Sequence, residues 1–262
     1  MSGPYWTHQW NPISGCSHAG TPGCDGCWAR DMRNRFHPGI PFAPVIHADR
    51  MNDPDRWRKP REVFVCNTGD LFHRDVPDSA IVDVLCAIRR NPQHTFLILT
   101  KRAERLRDVF SRMYVVGDHT VALHSEPMPA HGQSWIQNLW TGVTAEDQKR
   151  ADERIPLLLA TPAAHRWVSV EPMLSSVVFD RAELESGKIN QIVVGAESGH
   201  GMRMMDGTWL AVLMRQCEIA KVPLFIKQIH AGGKLYTDPA MFPEAYRVRD
   251  LAWRQPNRRG EV

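Results

Sequence analysis

Cys16, Cys24 and Cys27 fall in one short run, GCSHAGTPGCDGCW, with the spacing C-x7-C-x2-C. Three thiolates on one loop can each take one iron of a cubic [4Fe–4S] cluster and leave the fourth iron open to another ligand. Other readings suit the same residues. Zinc would use the three thiolates with His18 as the fourth ligand. A redox dithiol would use Cys24 and Cys27 alone. A fourth reading, unrelated core cysteines, sits poorly with a run so rich in Gly, Pro, Ser and His. Cys66, Cys86 and Cys217 differ, because each lies in an apolar strand-like or helix-like run, where cysteine behaves as a small buried hydrophobe.

The elements that must position this loop are legible as alternating patterns. Short apolar runs rich in β-branched or aromatic residues predict strands at 63–67, 95–100, 139–143, 166–170, 191–195 and 223–227, with a short early strand at 9–13. Helical spacing predicts helices at 24–36, 78–90, 103–113, 145–159 and 208–220. The strand-then-helix order implies right-handed parallel crossovers and an α/β fold. About six to seven such units fit a partial (β/α) barrel best, with a doubly wound open sheet as the alternative. The expected organisation is one domain over 1–235, an inserted loop near 114–134, and an irregular tail at 236–262.

In barrels of this kind chemistry sits at the carboxyl ends of the strands. Polar groups recur there: Thr68, Gly69, Asp70 and His73; Thr100, Lys101 and Arg102; Thr144, Glu146, Asp147 and Gln148; Glu171; Gly195, Glu197, Ser198, Gly199 and His200; Lys227, Gln228 and His230. Helix capping explains a lone Ser, Thr or Asp. It does not explain Glu171 before Pro172, or Lys101 beside Arg102, so the set reads as an active-site ring. For Glu171 and Lys227 the structural alternative is an ion pair inside the barrel.

The 262-residue chain is 43% hydrophobic and 23% charged, the balance of an ordinary globular protein, with a formal net charge of +3. That charge does not by itself identify a nucleic-acid binder. Basic residues do cluster at Arg30, Arg33 and Arg35, at Arg56, Arg58, Lys59 and Arg61, and at Arg254, Arg258 and Arg259. Both solvated faces and a phosphate-binding rim fit these clusters. No apolar run of about 18 residues exists, so no spanning helix and no membrane association are expected. The opening MSGPYWTHQWNP lacks the apolar core of a signal peptide. The expected location is the cytoplasm, where clustered cysteines bind metal or do chemistry more often than they form disulfides.

The run WNPISGCSHAGTPGCDGCWARDM resembles the opening of the phage-associated family of radical S-adenosylmethionine-like proteins that occur beside a three-Cys-motif partner protein. The resemblance continues through NTGDLFHRDVP, QHTFLILTKRAERL, LWTGVTAEDQ, ADERIPLLLATPA, WVSVEPML, VVGAESG and PLFIKQ, and covers about residues 5–230. More distantly the family resembles spore photoproduct lyase. The first cysteine gap is longer than in the commonest radical S-adenosylmethionine pattern, C-x3-C-x2-C, whereas the second is the same.

The resemblance implies a [4Fe–4S] cluster on Cys16, Cys24 and Cys27 whose open iron binds S-adenosylmethionine. One electron then cleaves the sulfonium C–S bond, and the adenosyl radical abstracts hydrogen from a substrate. It places Thr68, Gly69 and Asp70 at the methionine amino group and Lys101 or Arg102 at its carboxylate. It places Thr141, Thr144 and Glu146 at the ribose, and Gly195 and Glu197 along the adenine. Glu171, Lys227, Gln228 and His230 are left for substrate or radical control. The implied partners are S-adenosylmethionine, an electron donor, DNA or a nucleotide, and the three-Cys-motif partner protein, in the host cytoplasm for a phage-encoded chain. The substrate expected is a nucleic-acid base or nucleotide, on which Trp6, Trp10 and Trp28 would stack unless they are core residues. Two alternatives are a radical enzyme acting on a protein or small molecule, and a non-enzymatic zinc module that docks nucleic acid.

Overall fold

The computed structural model describes residues 5–117, 120–127, 136–199 and 201–254. In chain order the regular elements are β1 (His8–Trp10), β2 (Ile13–Ser14), α1 (Trp28–Phe36), β3 (Val45–Ile46), β4 (Glu62–Val65), α2 (Asp78–Arg90), β5 (Thr95–Thr100), α3 (Ala103–Arg112), β6 (Met113–Val116), β7 (Thr120–Leu123), β8 (Leu139–Thr144), α4 (Gln148–Ala160), β9 (His165–Val170), α5 (Arg181–Glu185), β10 (Gln191–Gly195), α6 (Gly207–Ala220), β11 (Leu224–Ala231) and β12 (Lys234–Tyr236).

Eight strands form one sheet in the order β1-β4-β5-β8-β9-β10-β11-β12. Every pairing from β1 to β11 is parallel, and β12 adds antiparallel to β11. The parallel strands follow sequence order without reversal, each reached through a helix. A doubly wound sheet reverses its order partway along, so that alternative does not describe this sheet. With right-handed crossovers, sequential order puts the helices on one face.

The two faces divide the apolar residues by the period-2 alternation of the strands. Val63, Val65, Phe96, Ile98, Val143, Val168, Ile192, Val194 and Ile226 belong to the large core shared with the helices. Phe64, Leu97, Trp140, Trp167, Val193 and Phe225 form the other core, closed by Tyr5, Trp6 and Leu251. The sheet curls towards this second face. Phe64 of β4 and Trp167 of β9 have ring centroids 6.2 Å apart. Their strands are three spacings apart, about 14 Å in a flat sheet. The Tyr5 ring lies 5.9 Å from Trp167 and 5.7 Å from Phe225 of β11.

Several expected boundaries shift for local reasons. The helix expected from residue 24 starts at Trp28, because Pro22–Cys24 makes one 3-10 turn and Cys27 is the N-cap. The helix expected from 145 starts at Gln148. Ala145 still donates to the Ser169 carbonyl at 2.8 Å, and the Asp147 carboxylate caps the Arg150 N–H at 2.8 Å. The inserted segment contains the antiparallel hairpin β6–β7. Its Val121 is buried, and the Val121 N–H donates to Cys86 Sγ at 3.2 Å; residues 118–119 and 128–135 of the segment lie outside the described residues. The tail is irregular, but it is bonded to the sheet, and its Phe242 and Leu251 are buried in the two cores. Ile226 donates to the Val248 carbonyl, Asp250 to the Leu224 carbonyl, and Ala252 to Gln191 Oε1. Arg258 and Arg259 lie beyond the described residues. No helix among the described residues is long and apolar enough to cross a membrane.

Candidate functional site

The cysteine loop is fixed at its entry by Gly15, which has φ +83° and no room for a side chain. A Cβ there would lie 1.9 Å from the Ala43 carbonyl oxygen. Gly15 also bridges to Gly69, and its N–H donates to the Thr68 carbonyl at 2.9 Å. Cys16 is thereby held beside the turn that leaves β4. The Cys16, Cys24 and Cys27 thiols are free and half-buried, and all three line one cavity of about 230 Å³. Burial, Asp70 and the two neighbouring thiols push the Cys16 thiol up to about 12, against the opposing Arg102 guanidinium.

Two carboxylates brace this loop from beneath. Glu146 is fully buried and pairs with Arg154 at 2.8 Å. Burial would raise its carboxyl, but Lys101 and Arg154 hold it below the usual range. Glu197 pairs with Arg203, whose guanidinium also reaches the Pro22 carbonyl at 2.9 Å. Burial of Glu197 is likewise outweighed by Arg203, and its carboxyl sits below the ordinary value. Gly26 presses against Glu197, where an added Cβ would stand 2.8 Å from Oε1. Both carboxylates thus back the loop, since a Cβ on Gly23 would likewise stand 3.0 Å from Glu146 Oε1, while Glu197 also lines the cavity.

A third brace looks like a nucleophile and its base but is not one. Ser17 Oγ and His73 Nε2 are 2.6 Å apart, and the Asp75 carboxylate is 3.6 Å from His73 Nδ1. The Asp75 backbone N–H donates to Nδ1 at 3.1 Å. Nδ1 is therefore the acceptor, and Nε2 carries the proton and donates to Ser17. The ring cannot take the Ser17 proton; it tethers the residue next to Cys16. Arg102 adds to the tether, donating to the Ser17 carbonyl at 3.2 Å and reaching Cys16 Sγ at 3.8 Å.

Burial, then Arg102, lowers the His73 pKa against the smaller opposing pull of Asp75 and Asp70. A histidine with a depressed folded pKa contributes its stability above the unfolded value of about 6.5 and loses it as pH falls below that. The slope is at most about 1.4 kcal/mol per pH unit for one group. Burial also depresses His8, His47 and His94, so all four act in the same direction. Urea midpoints are expected to fall between about pH 7.5 and 5.5, and His73→Gln should flatten, without abolishing, that fall. An unchanged slope in His73→Gln would refute the tether.

Asp70 is buried and lines the cavity. Its Oδ1 accepts from Phe72 N–H at 2.9 Å and from Thr100 Oγ1 at 2.7 Å. Its Oδ2 faces Arg102 Nε at 4.0 Å, beyond hydrogen-bond length, and so keeps acceptor capacity. Gly69, Lys101, Thr144, Glu197 and Gln228 line the same cavity, as does Cys66. Thr68 lines a neighbouring groove instead. Thr141 belongs to neither: it alternates with inward-facing Trp140 and is fully buried on the helix-covered face. His230 accepts the Met205 N–H at 2.9 Å and does not reach the cavity lining. His200 lies outside the described residues. Trp10 is core, its Nε1 bonded to the Arg50 carbonyl; Trp6 is buried at the cavity wall, and Trp28 is 47% exposed.

At the floor Glu171 and Lys227 form an ion pair of 3.0 Å. Glu171 Oε2 also accepts from Tyr5 at 2.9 Å and Ser169 at 3.2 Å. Gly195 backs directly onto Glu171. Burial and the Glu171 carboxylate push the Tyr5 phenol well above its ordinary range. No local sequence signal marks Tyr5, Arg154 or Arg203 as part of this site.

Among the described residues, no three of His, Cys, Asp and Glu converge on a point that one metal ion could occupy. His18 is engaged: Nε2 meets Asp25 at 2.9 Å and Nδ1 accepts the Gly20 N–H. A cubane asks something different of the protein, because each thiolate takes its own iron and the sulfurs need only surround a shared space.

The molecule is thus an α/β protein with a sequence-ordered, mainly parallel eight-stranded sheet, carrying a cysteine-lined cavity where its strands end. The chain belongs to the family described as protein of unknown function DUF5131, whose model matches residues 2–245. No curated protein and no solved structure matched the chain.

Proposed function

We propose that this protein is a radical S-adenosylmethionine enzyme built on a partial (β/α) barrel, acting on a nucleic-acid base or nucleotide. One observation carries the reading: three free thiols from a single braced loop line the same cavity as Asp70, Lys101 and the Glu171–Lys227 pair. The donor set suits a [4Fe–4S] cluster, since three free cysteines of one loop line a single cavity. When bound, the cluster and S-adenosylmethionine supply one-electron cleavage and a hydrogen-abstracting radical.

The chain's own groups divide the remaining tasks. Asp70 Oδ2 is the acceptor for the methionine ammonium, and Lys101 the cation for its carboxylate. Thr144 offers a hydroxyl at the cavity wall for the ribose. Tyr5, Trp6 and Phe64 close the floor and keep water from it. Glu171 and Lys227 face the substrate end of the cavity. An external electron donor is required, and a reducing cytoplasm suits the free thiols.

The test is anaerobic purification and reconstitution with iron and sulfide, followed by reduction in the presence of S-adenosylmethionine. About four irons per chain and release of 5′-deoxyadenosine are expected. Stoichiometric zinc without iron, or iron uptake with no cleavage on reduction, would overturn the proposal.

A further inference from the structure

A second cavity, about 320 Å³, opens beside the first and shares Ala29 and Phe42 with it. Its walls combine two kinds of group. Met32, Phe36 and Phe42 are apolar, and Met32 and Phe36 are 40% and 66% exposed. Arg33 and Arg50 are cationic, and both act on the same imidazole, His47, which they and its burial push towards the neutral form. Arg33 has no acidic partner among the described residues, and Arg50 meets Asp49 only at 3.9 Å. Two guanidiniums therefore line one groove, and the one carboxylate near them, Asp49, stands at the edge of ion-pair range from Arg50.

The helix that forms one wall repeats this composition. α1 presents Trp28, Met32 and Phe36 at four-residue spacing, so they share one face, and it carries Arg30, Arg33 and Arg35 against a single acid, Asp31. The Arg35 guanidinium lies 5.9 Å from the Phe36 ring. Aromatic faces interleaved with arginines are what a flexible polyanion with stackable bases requires. An acidic peptide would satisfy the arginines and leave the rings bare. A bilayer surface would cover the rings but not enter a concave groove.

We propose that this groove binds one nucleotide of a single-stranded nucleic acid, with phosphate between Arg33 and Arg50 and the base against Met32 and Phe36. The strand's neighbouring nucleotide then reaches the cysteine-lined cavity, which adjoins the groove at Ala29 and Phe42. A single strand is specified because a base must leave its stack to reach an aromatic side chain in a groove of this size. That the neighbouring nucleotide undergoes chemistry rests on the proposed function; the binding itself does not.

The experiment is fluorescence anisotropy with a labelled oligothymidylate of roughly a dozen nucleotides. It uses the full chain, before and after reconstitution with iron and sulfide, over a series of salt concentrations. Affinity is expected to fall as salt rises. The double variant Arg33→Gln/Arg50→Gln should lower the log–log salt slope by about 0.7, the share of the one phosphate they hold on a single strand. Phe36→Ala should weaken binding at least about fivefold, as loss of a stacking face does. Arg215→Gln on α6, a distant exposed arginine paired with Glu218 at 2.7 Å, should change neither quantity.

No binding, an unchanged slope in the double variant, equal weakening by Arg215→Gln, or equal competition by a duplex of the same length would overturn the proposal. The two readings fail separately. Iron uptake and cofactor cleavage without oligonucleotide binding removes the groove alone. Oligonucleotide binding that depends on Arg33 and Arg50, in a chain that takes up no iron, supports the groove and removes the radical chemistry.

Discussion

Cys24→Ala chain reconstituted without oxygen is expected to hold less than about one iron, against about four in the parent, and to release no 5′-deoxyadenosine. Cys16→Ala and Cys27→Ala should behave alike. Each of the three thiols would serve a different iron, so removing any one leaves two irons without a protein ligand. The loop has no substitute to offer. His18 is tied to Asp25 and Gly20 on the solvent side. Cys66 borders the cavity, but it is buried at 3% exposure, whereas the three loop cysteines are half-buried. Cys66→Ala, Cys86→Ala and Cys217→Ala should therefore keep their iron. Iron and sulfide assays on all six variants, with circular dichroism to verify the fold, make the comparison. Retention of iron by Cys24→Ala, or its loss in Cys217→Ala, would defeat the assignment of the trio as cluster ligands.

Glu171→Ala carries the second large effect, an expected loss of about 2–4 kcal/mol in unfolding free energy. The carboxylate serves Lys227, Tyr5 and Ser169 at once. Removing it strands an ammonium that also lies 5.7 Å from the Trp6 ring and leaves the buried Tyr5 hydroxyl without its acceptor. Breaking a fully buried pair costs about 3–5 kcal/mol. Here Glu171 and Lys227 side chains are 12% and 25% exposed, which lets water recover part of that loss. Glu171→Gln keeps an acceptor for Tyr5 and should cost about half as much. Combining Glu171→Ala with Lys227→Met removes the stranded charge and should recover at least about 1 kcal/mol relative to Glu171→Ala. Urea denaturation of these chains together with Lys227→Met alone measures the coupling. A Glu171→Ala cost under about 0.5 kcal/mol, typical of an exposed pair, would show that the floor of the cavity is wet. Under the proposed function, the same variant should keep cleaving S-adenosylmethionine and lose turnover of substrate.

Much of the fold was legible in the chain. The expected strands at 95–100 and 191–195 and the helix at 78–90 coincide with β5, β10 and α2. Each pattern is complete within one element, where alternation or helical spacing of apolar residues is set locally. The alternation of strands with helices also gave the parallel crossovers. The helix expected from Cys24 was misplaced because Pro22, Gly23 and Gly26 make the cysteine run a turn before it can become a helix. The short α5 and the β6–β7 hairpin were not separated from loop, since each is too brief to show a period.

The candidate site was legible as a set of residues but not as a set of contacts. Sequence alone determined that three cysteines share one loop and that polar groups collect where the strands end, because both follow from neighbours in the chain. Only the tertiary structure decided which of those groups remain open to the cavity. Tyr5 meets Glu171 across 166 residues, and Arg203 reaches Pro22 across 181. Glu146 and Glu197 were taken up by arginines for the same reason, since an ion pair forms between chain-distant groups only after packing brings them together. Thr141 was lost to the cavity by a single step of register. In a pleated strand that step exchanges the two faces, and no local pattern in an all-buried run such as LWTGVT says which face is which.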